Sequence, residues 1–202
     1  MAISLTKGQK INLSKADGSQ LTNILIGLGW KEVQASGGLF GMFKQKVDVD
    51  IDASVLMLDA GGKIPSPEEV IFFNHKDHAT GCIHHCGDNL VGGKMGGMDD
   101  SEQIQVDLTK VPQGIERIVF VVNIYDCVKR KQHFGMVENA YIRIVDQGSQ
   151  ETIASYNLTE DYSGKTSMIV GEIYHKDGAR KFNAVGQPGY DPGLSEIAAT
   201  YR

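Results

Sequence analysis

The sequence predicts a mainly β fold, a two-sheet β-sandwich with a few short helices, and three observations carry that expectation. Apolar residues alternate with polar ones or run in short blocks bounded by glycine and polar clusters, as strands do. Asp177-Gly178 separates two β-rich runs, and a type I′ hairpin turn needs φ > 0 at both central positions, which this pair tolerates. Helix signals are few and short. Many short strands joined by turns make a mainly antiparallel sandwich.

Taken in order, the expected strands are 21–30 (LTNILIGLGW), 47–58 (VDVDIDASVLML), 68–73 (EEVIFF), 102–108 (EQIQVDL), 116–126 (ERIVFVVNIYD), 140–148 (AYIRIVDQG), 151–158 (ETIASYNL) and the hairpin 167–186. The helical candidates are a turn after Pro67, a stretch near 128–133 and the C-terminal LSEIAATY. A chain of 202 residues with no linker, repeat or low-complexity tract is expected to fold as one domain, 1–202.

Composition excludes several classes. At 41% hydrophobic and 22% charged residues this is an ordinary globular composition. A net charge of -5 without a dense Lys/Arg stripe argues against nucleic acid as a partner, since phosphate has to be neutralised. There is no run of 18 apolar residues, so no direct membrane insertion is expected. The N-terminus lacks the apolar core of a signal peptide, and the three cysteines, an odd number, suit a reducing compartment; the expected location is the cytoplasm.

Chemistry concentrates in three segments. Asp48, Asp50 and Asp52 alternate with Val49, Ile51 and Ala53, so an extended chain turns all three carboxylates one way, roughly 6 to 7 Å apart. A bound cation would convert that repulsion into coordination; Lys44 and Lys46 offer neutralisation without metal. The D-x-D-x-D spacing imitates an EF-hand loop but fails it: Ala53 stands where Gly is needed and Asp59 replaces the bidentate Glu. The stretch GDNLVGGKMGGMDDSE, 87–102, brings oxygen ligands at both ends, Asp88 and Asn89 then Asp99, Asp100 and Glu102, around flexible glycines. That set suits a hard cation such as Ca²⁺, and equally a solvated loop.

The third segment holds His75, His78, Cys82, His84, His85 and Cys86. Imidazole and thiolate suit Zn²⁺ or copper, and in an extended strand Cys82, His84 and Cys86 share one face, with His85 beside them as a further soft ligand. The C-x₃-C spacing matches no standard zinc pattern, so solvated histidines and half-buried cysteines are the competing reading. None of the nucleophile-elbow, zincin or phosphate-loop templates is present, and no catalytic residue is expected.

An ordered series of motifs resembles the TerD family of tellurium-resistance and general-stress proteins. It comprises SLTKGQKINL near the N-terminus, IGLGW (26–30), DIDASVLML (50–58), FFN (72–74), GDN (87–89), IVFVVNIYD (118–126), FGMVENAYIRIV (134–145), GEIYHKDGARKFNAVGQ (171–187) and GYDPGLSEIAATY (189–201). The resemblance spans essentially the whole chain as a single TerD-like domain. It implies a compact two-sheet sandwich in a cytoplasmic, non-enzymatic protein that binds one or two Ca²⁺ ions through acidic loops. Its implied partners are other proteins of the tellurite-resistance system, membrane-associated ones among them. Position by position, Asp50 and Asp52 match the family's DLDAS aspartates, Asn74 follows the aromatic pair, Asp88 and Asn89 open the calcium loop, and Asp99, Asp100 and Glu102 stand for its acidic end. The sequence departs at LVGGKMGG, where Lys94 and Met95 occupy positions the family fills with acids, and at His84 and Cys86, where Glu and Thr are more usual. A direct His/Cys site for transition-metal or metalloid ions, Cys82, His84, His85 and Cys86, is the alternative.

Overall fold

A computed structural model describes residues 2–15, 17–32, 49–88, 100–158 and 162–202. Its strands are β1 (Ile3–Leu5), β2 (Lys10–Asn12), β3 (Asn23–Glu32), β4 (Ile51–Leu58), β5 (Val70–Ile71), β6 (Ile83–Asp88), β7 (Glu102–Asp107), β8 (Arg117–Ile124), β9 (Val137–Asp146), β10 (Thr152–Asn157), β11 (Ser167–Lys176) and β12 (Ala179–Gly189). Two short helices are α1 (Cys127–Arg130) and α2 (Leu194–Ala199). The strands form two six-stranded sheets: sheet I in the order β1-β10-β9-β3-β7-β6, and sheet II in the order β2-β12-β11-β8-β4-β5. The expected two-sheet sandwich is what forms.

Pairing is antiparallel except at the edge of sheet I, where β1 lies parallel to β10. The expected strand over 68–73 is instead a 3-10 turn at Pro67–Glu69 followed by the short β5. Pro67 has a fixed φ and no N–H to give a ladder, which favours the turn. The helix expected near 128–133 spans Cys127–Arg130 and stops at Lys131, whose φ of 53° is left-handed. At the hairpin, Asp177 and Gly178 have φ of 54° and 75°, as a type I′ turn requires.

Alternation along the strands builds the core. Ile24, Ile26, Ile142 and Ile144 of sheet I meet Val55, Met57, Phe120 and Ile173 of sheet II between the layers. The other face of β4 and β8, carrying Leu56, Leu58, Val119 and Val121, is covered by Ile197 and Ala198 of α2. Strand β4 is therefore buried on both faces over most of its length, which is why VLML reads as a continuous apolar run. Only its N-terminal end emerges from cover, and that end carries the aspartates.

The β11–β12 turn gives a direct test of this backbone geometry. Gly178→Val forces a β-branched residue into the left-handed region and should cost about 1–2 kcal/mol in denaturant unfolding, with the midpoint shifted and the slope unchanged.

Candidate functional site

On β4, Ile51, Ala53, Val55 and Met57 point into the inter-sheet core, so Asp52 faces outward with Ser54. Asp50 continues the pairing, its carbonyl accepting from the Tyr125 N–H at 2.8 Å. The carboxylate of Asp50 lies 3.5 Å from Arg130 Nη1, and the Arg130 guanidinium rests 5.2 Å from the Tyr125 ring centroid. Both partners are partly exposed, so this ion pair is weak and easily displaced. Asp48, Lys44 and Lys46 lie outside the described residues.

The second acidic motif reaches β4 through a histidine. Phe72 and His75 exchange backbone hydrogen bonds of 3.0 and 2.8 Å, making a tight turn that holds Asn74 exposed. The chain then pairs back on itself: His85 N–H donates to the Lys76 carbonyl, and His78 N–H to that of Ile83. This pairing is antiparallel, so the residues after His85 run toward the Asn74 turn. His85, 1% exposed, accepts at Nδ1 from Gly87 N–H at 3.0 Å, which leaves the proton on Nε2 to bond the Ala53 carbonyl at 3.0 Å. That contact ties edge strand β6 of sheet I to β4 of sheet II. The backbone of Asp88 ends β6, opposite Glu102. Of Asp88 only the backbone is described, and Asn89 and Asp99 lie outside the described residues.

Asp100, expected as a ligand, is engaged otherwise. Asp100 Oδ1 accepts from Arg143 Nε at 2.8 Å and from the Tyr141 hydroxyl at 3.1 Å; Oδ2 accepts from Arg143 Nη2 at 2.7 Å and from Gln103 Nε2 at 3.0 Å. Both side chains of the pair are 0% exposed. The carboxylate lies directly over Gly27, where a Cβ would stand 2.5 Å from Asp100 Cγ, so only glycine fits. Glu102 is buried with Oε2 3.8 Å from His85 Nε2. Metal ligation by Asp100 would have to break a buried, doubly bonded ion pair.

The soft-ligand cluster is dispersed. Cys82 is fully buried, its Sγ 3.4 Å from His78 Nδ1, while His78 Nε2 donates to Glu69 Oε2 at 3.1 Å and Nδ1 accepts from Thr80 N–H at 3.2 Å. His84 lies exposed, its Nδ1 2.6 Å from Asp77 Oδ1, and the half-buried Cys86 follows the inward-pointing His85. Burial pushes the Cys82 and Cys86 thiols up from their ordinary value, which disfavours the thiolate a soft metal needs. Cys82, His84 and Cys86 do not share one face: Cys82 precedes the strand, and the register slips between His85 and Asp88. Among the described residues no three His, Cys, Asp or Glu side chains converge on one point.

One polar residue escaped sequence reasoning. Asn123 sits directly opposite Asp52 in the β4–β8 ladder, faces outward, and is 5% exposed. The signal was an amide interrupting the apolar run IVFVVNI.

Two outcomes check this geometry. Arg143→Met strands a buried carboxylate and should cost about 3–5 kcal/mol in denaturant unfolding, whereas Asp100→Leu with Arg143→Met should lose less than that single change. In native protein a thiol-disulfide reagent should leave the buried Cys82 and Cys127 unmodified and label Cys86 slowly, with all three reacting in denaturant.

The family model described as the TerD domain matches residues 1–201. The chain is 46% identical over 203 residues to the stress response protein SCP2 of Bacillus subtilis (strain 168), with 100% of both chains covered. It is 40% identical over 201 residues to the tellurium resistance protein TerD of Serratia marcescens, covering 100% of this chain and 97% of that one. A crystal structure from Streptomyces coelicolor A3(2), a homologue of a telluride resistance protein (TerD), shares the fold with a TM-score of 0.64 at 18% identity, over 88% of this chain and 95% of that one.

Proposed function

The chain belongs to the TerD domain family, and on that footing we propose that it is a non-enzymatic stress-response protein of the tellurium-resistance type, which binds Ca²⁺ and presents a protein-binding surface. The observation that carries the calcium reading is the His85 bond to the Ala53 carbonyl. It joins the strand ending at Asp88 to the strand beginning after Asp50, and so draws two acidic motifs distant in sequence to one edge of the sandwich.

Their donor chemistry fits a hard cation. Asp50 and Asp52 face away from the core, Asn74 stands exposed in the adjoining turn, and the counter-charge on Asp50 is a weak surface pair. We assign Asp50, Asp52, Asn74, Asp88, Asn89 and Asp99 to hold Ca²⁺, and Asp100 and Glu102 to the buried framework behind them. Bound Ca²⁺ supplies positive charge that neutralises clustered carboxylates and cross-links the segments bearing them. The absence of catalysis in this reading is supported by thiols kept protonated through burial and by the bonded ring nitrogens of His78 and His85. A cytoplasmic location fits the three free cysteines, and none of the described helices is long and apolar enough to cross a membrane. Other proteins of the same resistance system are the partners we assign.

Calorimetric titration of Ca²⁺, Mg²⁺ and Zn²⁺ into chelator-stripped protein tests this reading. Ca²⁺-selective binding is expected, with stabilisation of about 2.7 kcal/mol at a hundredfold excess over Kd, seen as a raised Tm. Asp50→Ala and Asp88→Ala should each remove that stabilisation; an unchanged titration in both variants would sink the assignment.

A further inference from the structure

A groove of about 450 Å³ crosses the outer face of sheet II between the ends of β4 and β8 and the start of α2. Asn123 lies in its floor, 5% exposed, and Asn123 Oδ1 has no hydrogen-bond partner among the described residues. A buried amide oxygen left without a donor is unfavourable, and this one lies in a lining that also carries Asp52, Asp126 and Glu196. Against those three carboxylates the described lining sets one guanidinium, that of Arg202, and the largely exposed Lys129 stands 3.8 Å from Asp126. The rim is aromatic: Phe73 is 41% exposed and Tyr125 48% exposed, large apolar surfaces that a lone domain gains nothing by showing to water.

We propose that this groove receives a lysine or arginine side chain from a partner protein. The alkyl stem lies against Phe73 and Tyr125, and the cationic head donates to Asn123 Oδ1 within the field of Asp126 and Glu196. Arg130 already shows the rim accepting a cation in this manner, its guanidinium over the Tyr125 ring at 5.2 Å while it pairs with Asp50 at 3.5 Å. A bare metal ion fits less well. The groove is far larger than one ion, its aromatic walls give a metal no ligand, and no three His, Cys, Asp or Glu side chains converge among the described residues. An aromatic rim with a desolvated acceptor at its base matches the stem and head of a long basic side chain. Asp52 lines this groove and is itself one of the calcium ligands proposed above, so the two readings are separated by working in chelator.

The test is fluorescence anisotropy of a short labelled peptide of alternating Lys and Leu, with its Glu and Leu counterpart as control, in chelator-containing buffer. Binding of the basic peptide alone is expected, weakened roughly tenfold by Asn123→Leu and by Tyr125→Ala, with Ca²⁺ uptake unchanged in both variants. Tyr125 is half exposed, so Tyr125→Ala decides the matter if Asn123→Leu lowers the Tm. The proposal is overturned if the native protein ignores the basic peptide, or if both variants bind it as well as native protein does. It is equally overturned if Asn123→Leu abolishes a Ca²⁺-binding event, which would make that oxygen a metal ligand.

Discussion

The ion pair between Asp100 and Arg143 is the constraint around which sheet I is arranged. A carboxylate and a guanidinium removed entirely from water are stable only when nearly every polar atom is matched, and here two Arg143 donors, the Tyr141 hydroxyl and the Gln103 amide supply the match. Geometry follows from that demand. Gly27 of β3 pairs with Arg143 of β9 on one side and Gln103 of β7 on the other, so three central strands meet beneath the carboxylate. A side chain at 27 would occupy its space, and a register slip in either ladder would remove a partner. The Ser101 N–H bond to the Leu28 carbonyl, 2.8 Å, fixes the chain immediately after the pair.

A second buried polar contact closes the sandwich. Sheet edges expose unpaired backbone groups, and His85 satisfies one of them by reaching from β6 to the Ala53 carbonyl of β4. Because its other nitrogen is held by Gly87, the ring has a defined orientation and tautomer. The backbone through Asp88 is thereby directed toward the Asn74 turn and the open end of β4. The same burial that makes His85 a structural tie withdraws it from soft-metal chemistry. Cys82 and His78 are consumed in the same way, through Thr80 and Glu69.

Buried and exposed donors thus differ in what they can do. His78, Cys82 and His85 are spent inside, holding the edge together, while Asp50 and Asp52 remain at the emergent end of β4 and on the outer face of sheet II. An acidic, oxygen-rich surface beside exposed aromatic rings suits cations, whether inorganic or carried on a protein side chain. Both proposals draw on that surface, one at the strand end and one in the groove beneath α2.

The sequence by itself determined the sandwich, because period-two alternation and continuous apolar runs such as VLML record which faces are buried, and Asp177-Gly178 records a turn that few other pairs permit. It also marked Asp50 and Asp52 as sharing a face, a local consequence of an extended chain. Strands β1 and β2 were not legible, being three residues each and too short to show alternation, and they exist because β10 and β12 offer edges to pair with. Pro67 overrode the apolar pattern of 68–73 through its own backbone. The fate of individual donors belonged to the tertiary structure alone. Asp100 reads in sequence like its acidic neighbours, and only the presence of Arg143 across Gly27 makes it a buried structural anion. Asn123 reads as a strand residue, and only its position opposite Asp52 under α2 makes its oxygen a candidate acceptor. Alternation is written into neighbouring residues, whereas partnership depends on which distant residues the two sheets bring into contact.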